Sequence, residues 1–359
     1  MSRIDDNMKI VRRLWQEWKI GSWLFGFGSA LIVVIAFTFA FAYAAPNSWD
    51  ITGMIRSQLP LPMVTAGWSD AASFRDVATD LASVRRFYES QDFSTVGLRV
   101  DFTTEDGKKR LKIREREIIN RALENDAIAR AAARDGIRIS DADAQKAVAD
   151  QLSMQGNDPN AVKDRLMKLY GWTIPEFTGK VVRPALFEEA LRKRFEADTT
   201  NFVEAKKKAE MARKRLDDGR SFADAATEFS EGKTAGNGGD MGWFPYADLA
   251  ASLQDAAKNQ KIGVPGDVIE SDLGFHILLI NERKTENGKD LVELSQIFVK
   301  KKTFGDWLTS ELQGMSIHVL APEYEWNQDT ARVDFHDPAL RQFEANLLQN
   351  SQGDASVIF

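Results

Sequence analysis

The stretch GFHILLI, residues 274–280, sets one of the chain's three histidines inside an apolar run that alternates as a strand facing a core does. His276 in such a run is either a packed core residue or part of a site, and the fold around it decides between the two. A polar turn, KTENGKD, leads from it into a second strand, LVELSQIFVKK at 291–301. Upstream, GGDMGWF at 238–244 predicts a tight turn and a short strand. The residues around His276 therefore predict a sheet.

Helices are predicted on both sides of the glycine-rich turn. One runs to about Leu216 and ends at a glycine, and the next is capped by Ser221. After the turn, ADLAASLQDAAKNQ places Leu249 and Leu253 on one helical face. Strands and helices thus mix along this part of the chain, which indicates an α+β fold.

Composition narrows the possible functions. The 359 residues, 43% hydrophobic and 28% charged, suffice for two globular units, and a net charge of −6 argues against a nucleic-acid binder. The absence of cysteine excludes disulfides and thiolate metal ligands. The three histidines, at 276, 318 and 336, do not have ligand spacing, so neither a metal nor another cofactor is expected.

A single segment favours a membrane protein. Residues 21–45, GSWLFGFGSALIVVIAFTFAFAYAA, carry no charge and are long enough as a helix to cross the hydrocarbon layer of about 30 Å. Five basic residues precede the segment, which predicts a cytoplasmic N-terminus at 1–20 and an extracytoplasmic body. A buried core helix or a cleaved signal peptide, with Ala42-Tyr43-Ala44 as its cleavage site, would also explain the run. Because signal cores span only about 7–15 residues, we favour a retained single-pass anchor.

Beyond the anchor, prolines at 46, 60 and 62 predict an extended linker over residues 46–62. Helical periodicity then predicts helices from about Ser73 to Ser90 and from about Lys109 to Ala133, followed by shorter capped helices as far as Phe195. Residues 63–198 are hence predicted to be an all-helical unit. No nucleophile, acid pair or phosphate loop stands out in it.

The order of these elements resembles a known family. LPLPMVTAGWSDAASF, RFYESQDF, EIINRALENDAIARAAARDGIRISDADA and LYGWTIPEF are similar to the N-terminal chaperone region of extracytoplasmic foldases of the SurA and PrsA type. The resemblance implies an open helical cradle that holds unfolded secreted chains.

Residues 199–320 resemble the parvulin peptidyl-prolyl isomerase domain, an antiparallel four-stranded sheet surrounded by helices. A tail over 321–359 is predicted to add one helix. The residues that carry the resemblance are Gly219, Phe222, Ala226, Ser230, the box at 238–244, Gly263 and the run 274–277.

The parvulin pattern lacks its first strand at the expected place. That strand, Ser-His-Ile-Leu-Val, should precede the first helix, but FEADTTNFVEAKKKAEM holds no such run. Ser295-Gln296-Ile297-Phe298-Val299 matches it later in the chain, except for the histidine. A tight turn could supply this strand from the other end, so the resemblance implies a circularly permuted domain. The alternative is an ordinary hairpin extension that leaves the sheet one strand short.

The resemblance also implies a site. His276 occupies the position of one of the family's paired histidines, and Gln296 occupies the position of the other. Gln296 cannot titrate as a histidine does. Gly232 stands where the family has a polar Cys or Asp, and Glu231 could substitute only if the loop shifts. The implied substrate-binding residues are Leu249, Leu253, Met241, Phe244 and Ser271.

Two functions remain open at this point. In one, the protein is a membrane-anchored foldase that binds unfolded or proline-containing exported polypeptides and catalyses cis/trans isomerisation of X-Pro bonds. In the other, it is a holdase chaperone whose degenerate parvulin domain only binds peptides. Both readings give it the same clients.

Overall fold

The computed structural model describes Thr38 and residues 41–44, 50–91, 101–154 and 158–350. The chain divides into two compact units: residues 1–187 with 310–359 form unit 1, and residues 188–309 form unit 2. Unit 2 is therefore an insertion in the sequence of unit 1. This division differs from the predicted ranges 63–198, 199–320 and 321–359, because the segment predicted as a separate tail belongs to unit 1.

Unit 1 is built mainly from helices. Both long predicted helices are observed, and hydroxyl caps start them: Ser73 Oγ accepts from the Asp76 amide and Thr104 Oγ1 from the Gly107 amide. The helix at Asp50–Gln58 lies in the predicted linker, which is therefore not extended throughout. The helices are α1 (Asp50–Gln58), α2 (Phe74–Ser90), α3 (Glu105–Arg134), α4 (Asp141–Met154), α5 (Pro159–Leu169), α6 (Ile174–Phe177) and α7 (Arg183–Ala197), the last of which continues into unit 2.

The prediction of an all-helical unit over 63–198 is wrong at its start. β1 (Pro62–Ala66) and β2 (Ser69–Ser73) form an antiparallel hairpin, and Gly67, with φ +63°, makes the turn between them. β7 (Ile317–Val319) pairs with the other edge of β1, giving the strand order β2-β1-β7. The partner strand lies some 250 residues away in sequence, so local periodicity around β1 could not indicate the pairing.

The C-terminal part of unit 1 adds a second hairpin. β8 (Tyr324–Asn327) pairs with β9 (Arg332–Phe335), and α12 (Pro338–Asn350) is the helix predicted for this region. The side chain of Asn120 on α3 brackets the backbone of Val333, donating to its carbonyl at 3.0 Å and accepting from its amide at 2.7 Å. Phe335 is fully buried. These contacts fix the hairpin onto the longest helix of the unit.

Unit 2 contains a four-stranded antiparallel sheet in the order β3-β6-β5-β4. Its two long central strands meet at a turn formed by Asn287 and Gly288, whose positive φ angles of 51° and 74° suit a two-residue hairpin. The strands are β3 (Asp240–Pro245), β4 (Ile269–Glu270), β5 (Gly274–Glu286) and β6 (Lys289–Lys300), and the helices are α8 (Val203–Asp217), α9 (Phe222–Phe229), α10 (Ala251–Asn259) and the start of α11 (Phe304–Gln313).

Alternation along β5 and β6 gives this sheet two different faces. On one face, which we call the closed face, Ile277 and Ile297 are fully buried against α8 and α9. The other face, which we call the open face, carries His276, Leu278 and Ile280 from β5, and Phe298, Gln296 and Leu294 from β6. The predicted site residues belong to the open face.

The predicted anchor over residues 21–45 lies mostly outside the described residues. Of this segment the structure describes Thr38 and residues 41–44, and the latter are helical. Among the described residues, no helix combines the length and the apolar character needed to cross a membrane.

Candidate active site

His276 and Gln296 lie on adjacent strands. The register places Phe298 directly opposite His276, and Gln296 directly opposite Leu278. Gln296 is therefore a diagonal neighbour of His276 on the same face, which long side chains can span. The sequence pattern singled out Gln296 and overlooked Phe298, although strand alternation alone puts both on the face of His276.

Ser271 fixes the ring of His276. Its Oγ lies 2.7 Å from Nε2 and also accepts from the amides of Leu273 and Gly274, each at 3.2 Å. Those two amides occupy the hydroxyl's acceptor sites, and its proton has two acceptors in reach, the Gly274 carbonyl at 3.2 Å and Nε2 at 2.7 Å, of which the shorter contact favours Nε2. The ring then carries its own proton on Nδ1. Among the described residues, Nδ1 meets no partner of regular hydrogen-bond geometry.

Burial keeps the imidazole neutral. His276 is only 6% exposed, and loss of solvation lowers the pKa of its ring, while the side chain of Gln296 acts in the opposite sense. The ring of Phe298 packs on it with centroids 4.9 Å apart. His276 is thus a neutral, oriented imidazole with an unused buried donor.

The loop that follows α9 is attached to β6 beside this pair. Ser230 Oγ accepts from the Phe298 amide at 3.1 Å, and the Glu231 amide donates to the Phe298 carbonyl at 2.7 Å. The Glu231 carboxylate accepts from Lys208 Nζ and from the Lys300 amide, which lower its pKa against the effect of burial. These contacts hold Glu231 away from His276, so it does not replace the missing acid.

Gly232 leaves the position beside the aromatic ring empty. A Cβ placed on it would lie 3.6 Å from Phe298 Cβ and 3.5 Å from Ser230 Oγ, which are ordinary contact distances. A side chain at this position would therefore fit without moving its neighbours. The polar side chain that the resemblance implies is absent because residue 232 is glycine, and the backbone leaves room for such a side chain.

An apolar cluster lies on the same face of the sheet as Gln296. Leu253 is 5% exposed and belongs to the core with Leu278 and Leu294. The predicted residues Met241, Phe244 and Leu249 are partly buried against this core, and sequence reasoning missed Tyr246, which packs there too. The structure thus brings the predicted apolar residues together on the face of His276.

Gly239 permits the close approach of β3 to the centre of the sheet. Its φ is +81°, and its carbonyl accepts from the Gln296 amide at 2.9 Å. A Cβ there would come within 2.6 Å of the Gln296 carbonyl oxygen. Glycine at this position therefore fixes the backbone on which Gln296 stands.

A wide groove on the opposite side of unit 2 has a different character. It runs between α8 and the end of β6, with Met211 and Val299 among its apolar residues. Its lysines are paired with acids, for example Lys207 with Glu204 and Lys208 with Glu231. The groove does not include His276 or Gln296.

Comparison with known proteins gives the class of this domain. Residues 188–284 match the family model of the PPIC-type PPIase domain, which is the parvulin type. The match begins in α7 and ends near the end of β5, so β6 lies beyond it. A parvulin-type domain is therefore present within this chain.

Curated relatives place this domain among foldases and chaperones. The chain is 29% identical over 147 residues to the foldase protein PrsA of Halalkalibacterium halodurans, covering 40% of this chain and 44% of that protein. It is 27% identical over 139 residues to the chaperone SurA of Alkalilimnicola ehrlichii, covering 38% and 32%. It is 38% identical over 80 residues to the periplasmic chaperone PpiD of Haemophilus influenzae, covering 22% and 13%. The matches span less than half of each relative.

Proposed function

We propose that this protein is a foldase: unit 1 binds unfolded exported polypeptides, and the open face of unit 2 catalyses cis/trans isomerisation of X-Pro bonds. The proposal rests above all on the parvulin-type match over residues 188–284 together with the partly exposed apolar cluster on the open face, the face that also carries Gln296. PrsA, SurA and PpiD, to which the chain is similar, are named as a foldase and as chaperones.

Prolyl isomerisation requires no covalent step by the protein. A prolyl amide rotates over a barrier of about 18–20 kcal/mol because resonance holds it planar, and rotation makes and breaks no bond. In this proposal Met241, Phe244 and Leu249, which pack side by side on the open face, form the cleft that accepts the prolyl ring and excludes water from the amide. The side-chain amide of Gln296 donates a hydrogen bond to the twisted prolyl peptide. In the twisted form the lone pair of the prolyl nitrogen is more localised than in the planar form. The twisted state is thus stabilised more than the planar states.

His276 acts through its neighbours in this scheme. Its ring is held by Ser271 and covered by Phe298, so we assign it a positioning role. It positions Gln296 and supports the Phe298 ring at the mouth of the cleft. A polar side chain at 276 that keeps the Ser271 contact would retain most of the activity.

A proline-peptide isomerisation assay on the full chain tests the enzymatic proposal. We expect acceleration over buffer, and a loss of about fivefold in kcat/KM for Gln296→Ala, since a neutral hydrogen bond is worth about 0.5–1.5 kcal/mol. Met211→Ala is the matched control, because Met211 is exposed on α8 away from the open face. If the protein does not accelerate isomerisation, the enzymatic proposal fails.

The finer topology supports circular permutation. β6 lies between β3 and β5, at the centre of the four-stranded sheet. The family match ends at residue 284, before β6 begins. The test is a permuted variant of unit 2. Its chain begins and ends at the turn 287–288, and a short linker joins residue 301 to residue 203. The urea midpoint of unit 2 should survive this change; its loss would contradict the permutation.

Membrane anchoring through residues 21–45 is part of the proposal and rests on the sequence alone. An uncharged segment of sufficient length follows a basic N-terminus, which favours a cytoplasmic N-terminus and an extracytoplasmic body. The full chain should remain with the membrane fraction after alkaline carbonate washing. Release into the supernatant would refute the anchor.

A holdase without isomerase activity is the second candidate, and the site itself supports it. Gln296 and Gly232 replace groups that the resemblance leads one to expect, and unit 1 offers a surface for clients. Phe87, Tyr170 and Trp172 stack in a half-buried column with centroid spacings of 5.2 and 5.0 Å, beside the exposed Met167. Half-exposed aromatic and methionine side chains are suited to binding varied apolar segments.

An aggregation assay with the full chain tests this surface. The double variant Met167→Ser, Tyr170→Ser should weaken the suppression of client aggregation, while Met154→Ser, at a residue 83% exposed on α4, should not. The full chain is required because β7 and the C-terminal hairpin complete unit 1. Equal suppression by all three proteins would exclude the aromatic column as the client site.

A further inference from the structure

An uncharged stretch contributes exposed apolar side chains to unit 1. Between Asp50 and Asp70 the chain has a single charged residue, Arg56, although 28% of all residues are charged. Arg56 is only 5% exposed. The stretch that forms α1, β1 and the turn to β2 therefore exposes no charged side chain of its own from residue 51 to residue 69, although Arg130 of α3 reaches the turn and donates to the Ala66 carbonyl. It does present large apolar side chains: Met54, Leu59 and Trp68 are 58%, 38% and 107% exposed.

The adjoining strand continues this surface. The amide of Leu320, at the end of β7, donates to the Met63 carbonyl at 2.9 Å, and Leu320 is 39% exposed. Residues 316–322, SIHVLAP, include no lysine, arginine or acid. We call Met54, Leu59 and Leu320 the neutral face.

The last described residues of the apolar segment 21–45 dock beside this face. Arg56 Nε donates to the Ala42 carbonyl at 2.7 Å, and Tyr43 OH donates to the Pro62 carbonyl at 2.8 Å. Ala42 is fully buried, and the Tyr43 ring lies 5.9 Å from that of Phe74. The helical residues 41–44 are therefore packed into unit 1 at α1 and the start of β1.

The guanidinium of Arg56 is paired within unit 1. Besides Ala42, its guanidinium contacts Glu323 at 3.1 Å and lies 4.8 Å from the centroid of the Phe74 ring. Arg56 thus joins the segment 41–44, α1 and the residue before β8 without adding charge to the surface.

From these contacts we propose that the neutral face of unit 1 rests in the lipid interface at the extracytoplasmic end of the anchor. The occupant is the glycerol and upper acyl region of the bilayer, which favours apolar side chains and excludes charge. The inference rests on the proposed anchor, because the docked residues 41–44 are the end of that segment and bring α1 to the point where the chain leaves the membrane. The uncharged stretch and the position of the anchor's end are separate observations that lead to the same surface.

Single-cysteine spin labelling tests this placement, since the chain has no cysteine of its own. Labels are introduced one at a time at 54, 59 and 320 in the full chain, reconstituted in nanodiscs of phosphatidylcholine and phosphatidylglycerol. A label at 154, also highly exposed in unit 1, is the matched control. Collision with oxygen, which concentrates in lipid, is compared with collision with a water-soluble nickel complex. We expect the oxygen-to-nickel ratio at all three positions to exceed that at 154 at least about threefold.

The outcomes separate this inference from the proposed anchor. If the protein stays in the nanodiscs but the three labels match the label at 154, the lipid-contacting face is wrong and the anchor stands. If the protein does not enter nanodiscs and is released by carbonate, the anchor itself fails. Dipolar broadening between labels at 320 would show that a second copy covers the face, and it would also overturn the proposal.

Discussion

The closed and open faces of the sheet in unit 2 are made from alternate residues of the same two strands, yet they differ in what covers them. On the closed face, Ile277 and Ile297 are fully buried by α8 and α9. On the open face, Leu278, Ile280 and Leu294 are also fully buried, but the apolar residues Phe244 and Leu249 beside them stay partly exposed. The difference teaches that both faces carry a packed core, whereas only the open face has a partly exposed apolar rim that is available for binding.

The largest expected effect tests the stability half of this comparison. Ile277→Ala on the closed face should lower the free energy of unfolding by about 2–5 kcal/mol, because it leaves a cavity in a fully packed region. Urea denaturation followed by circular dichroism measures it. Leu249→Ala, at a partly buried position on the open face, is the control and should cost about 1 kcal/mol or less. Equal losses would remove the distinction between the packed core and the partly exposed rim.

The second prediction concerns activity. Leu249→Ala, which costs little stability, should have a large effect on isomerisation. Leu249→Ala should reduce kcat/KM for a proline peptide about tenfold, since a leucine side chain contributes about 1.5–3 kcal/mol of apolar burial and the substrate recovers part of it. Phe244→Leu, which keeps most of the apolar surface, should lose less. If Leu249→Ala is fully active in a prolyl isomerisation assay, the cleft is not where the prolyl ring binds.

The third prediction adds polar groups to the open face. The double variant Gln296→His, Gly232→Asp should raise kcat/KM about fivefold, because a charge-assisted hydrogen bond is stronger than a neutral one by about 1 kcal/mol. The backbone at Gly232 accepts a Cβ at ordinary contact distances. Each single variant serves as its control. If the double variant shows no gain in kcat/KM, the absence of these two polar groups does not limit the activity of the native site.

The smallest expected effect is the pH dependence of stability. Burial lowers the pKa of His276 below its ordinary value of 6.5, so the unfolded chain takes up a proton before the folded chain does. Stability from this group is therefore full above about pH 6.5 and falls as the pH decreases from there toward the folded pKa. Urea midpoints from pH 8 to pH 5 measure it against His276→Gln. If the two pH profiles run parallel, the imidazole is not held neutral by the fold.

Strand alternation and family resemblance contributed different parts of the predicted site. The resemblance brought His276, Gln296 and the apolar residues together, and period-two alternation accounts for His276 and Gln296 lying on one face of adjacent strands. Phe298 was missed because the family pattern directed attention to Gln296, whereas the register pairs Phe298 directly with His276. The comparisons leave the roles of these residues as predictions.

The boundaries of the units could not be obtained in the same way. The segment around Pro62 reads as an extended linker in isolation, and it becomes a central strand only because β7 pairs with it from the far side of the insertion. Likewise the hairpin after Ala321 has short strands that depend on Asn120 for their position. Contacts at such sequence separation leave no local periodicity to detect.

The strand order β2-β1-β7 also means that β1 is synthesised long before its partner β7. β1 leaves the ribosome about 250 residues before its partner β7, which at roughly 5–20 residues per second is an interval of roughly 12–50 seconds. During that time one edge of β1 is unpaired while the whole of unit 2 is made and can fold. The chain must therefore protect an open strand edge during its own synthesis, and the short, proline-initiated β1 is suited to a long wait of that kind.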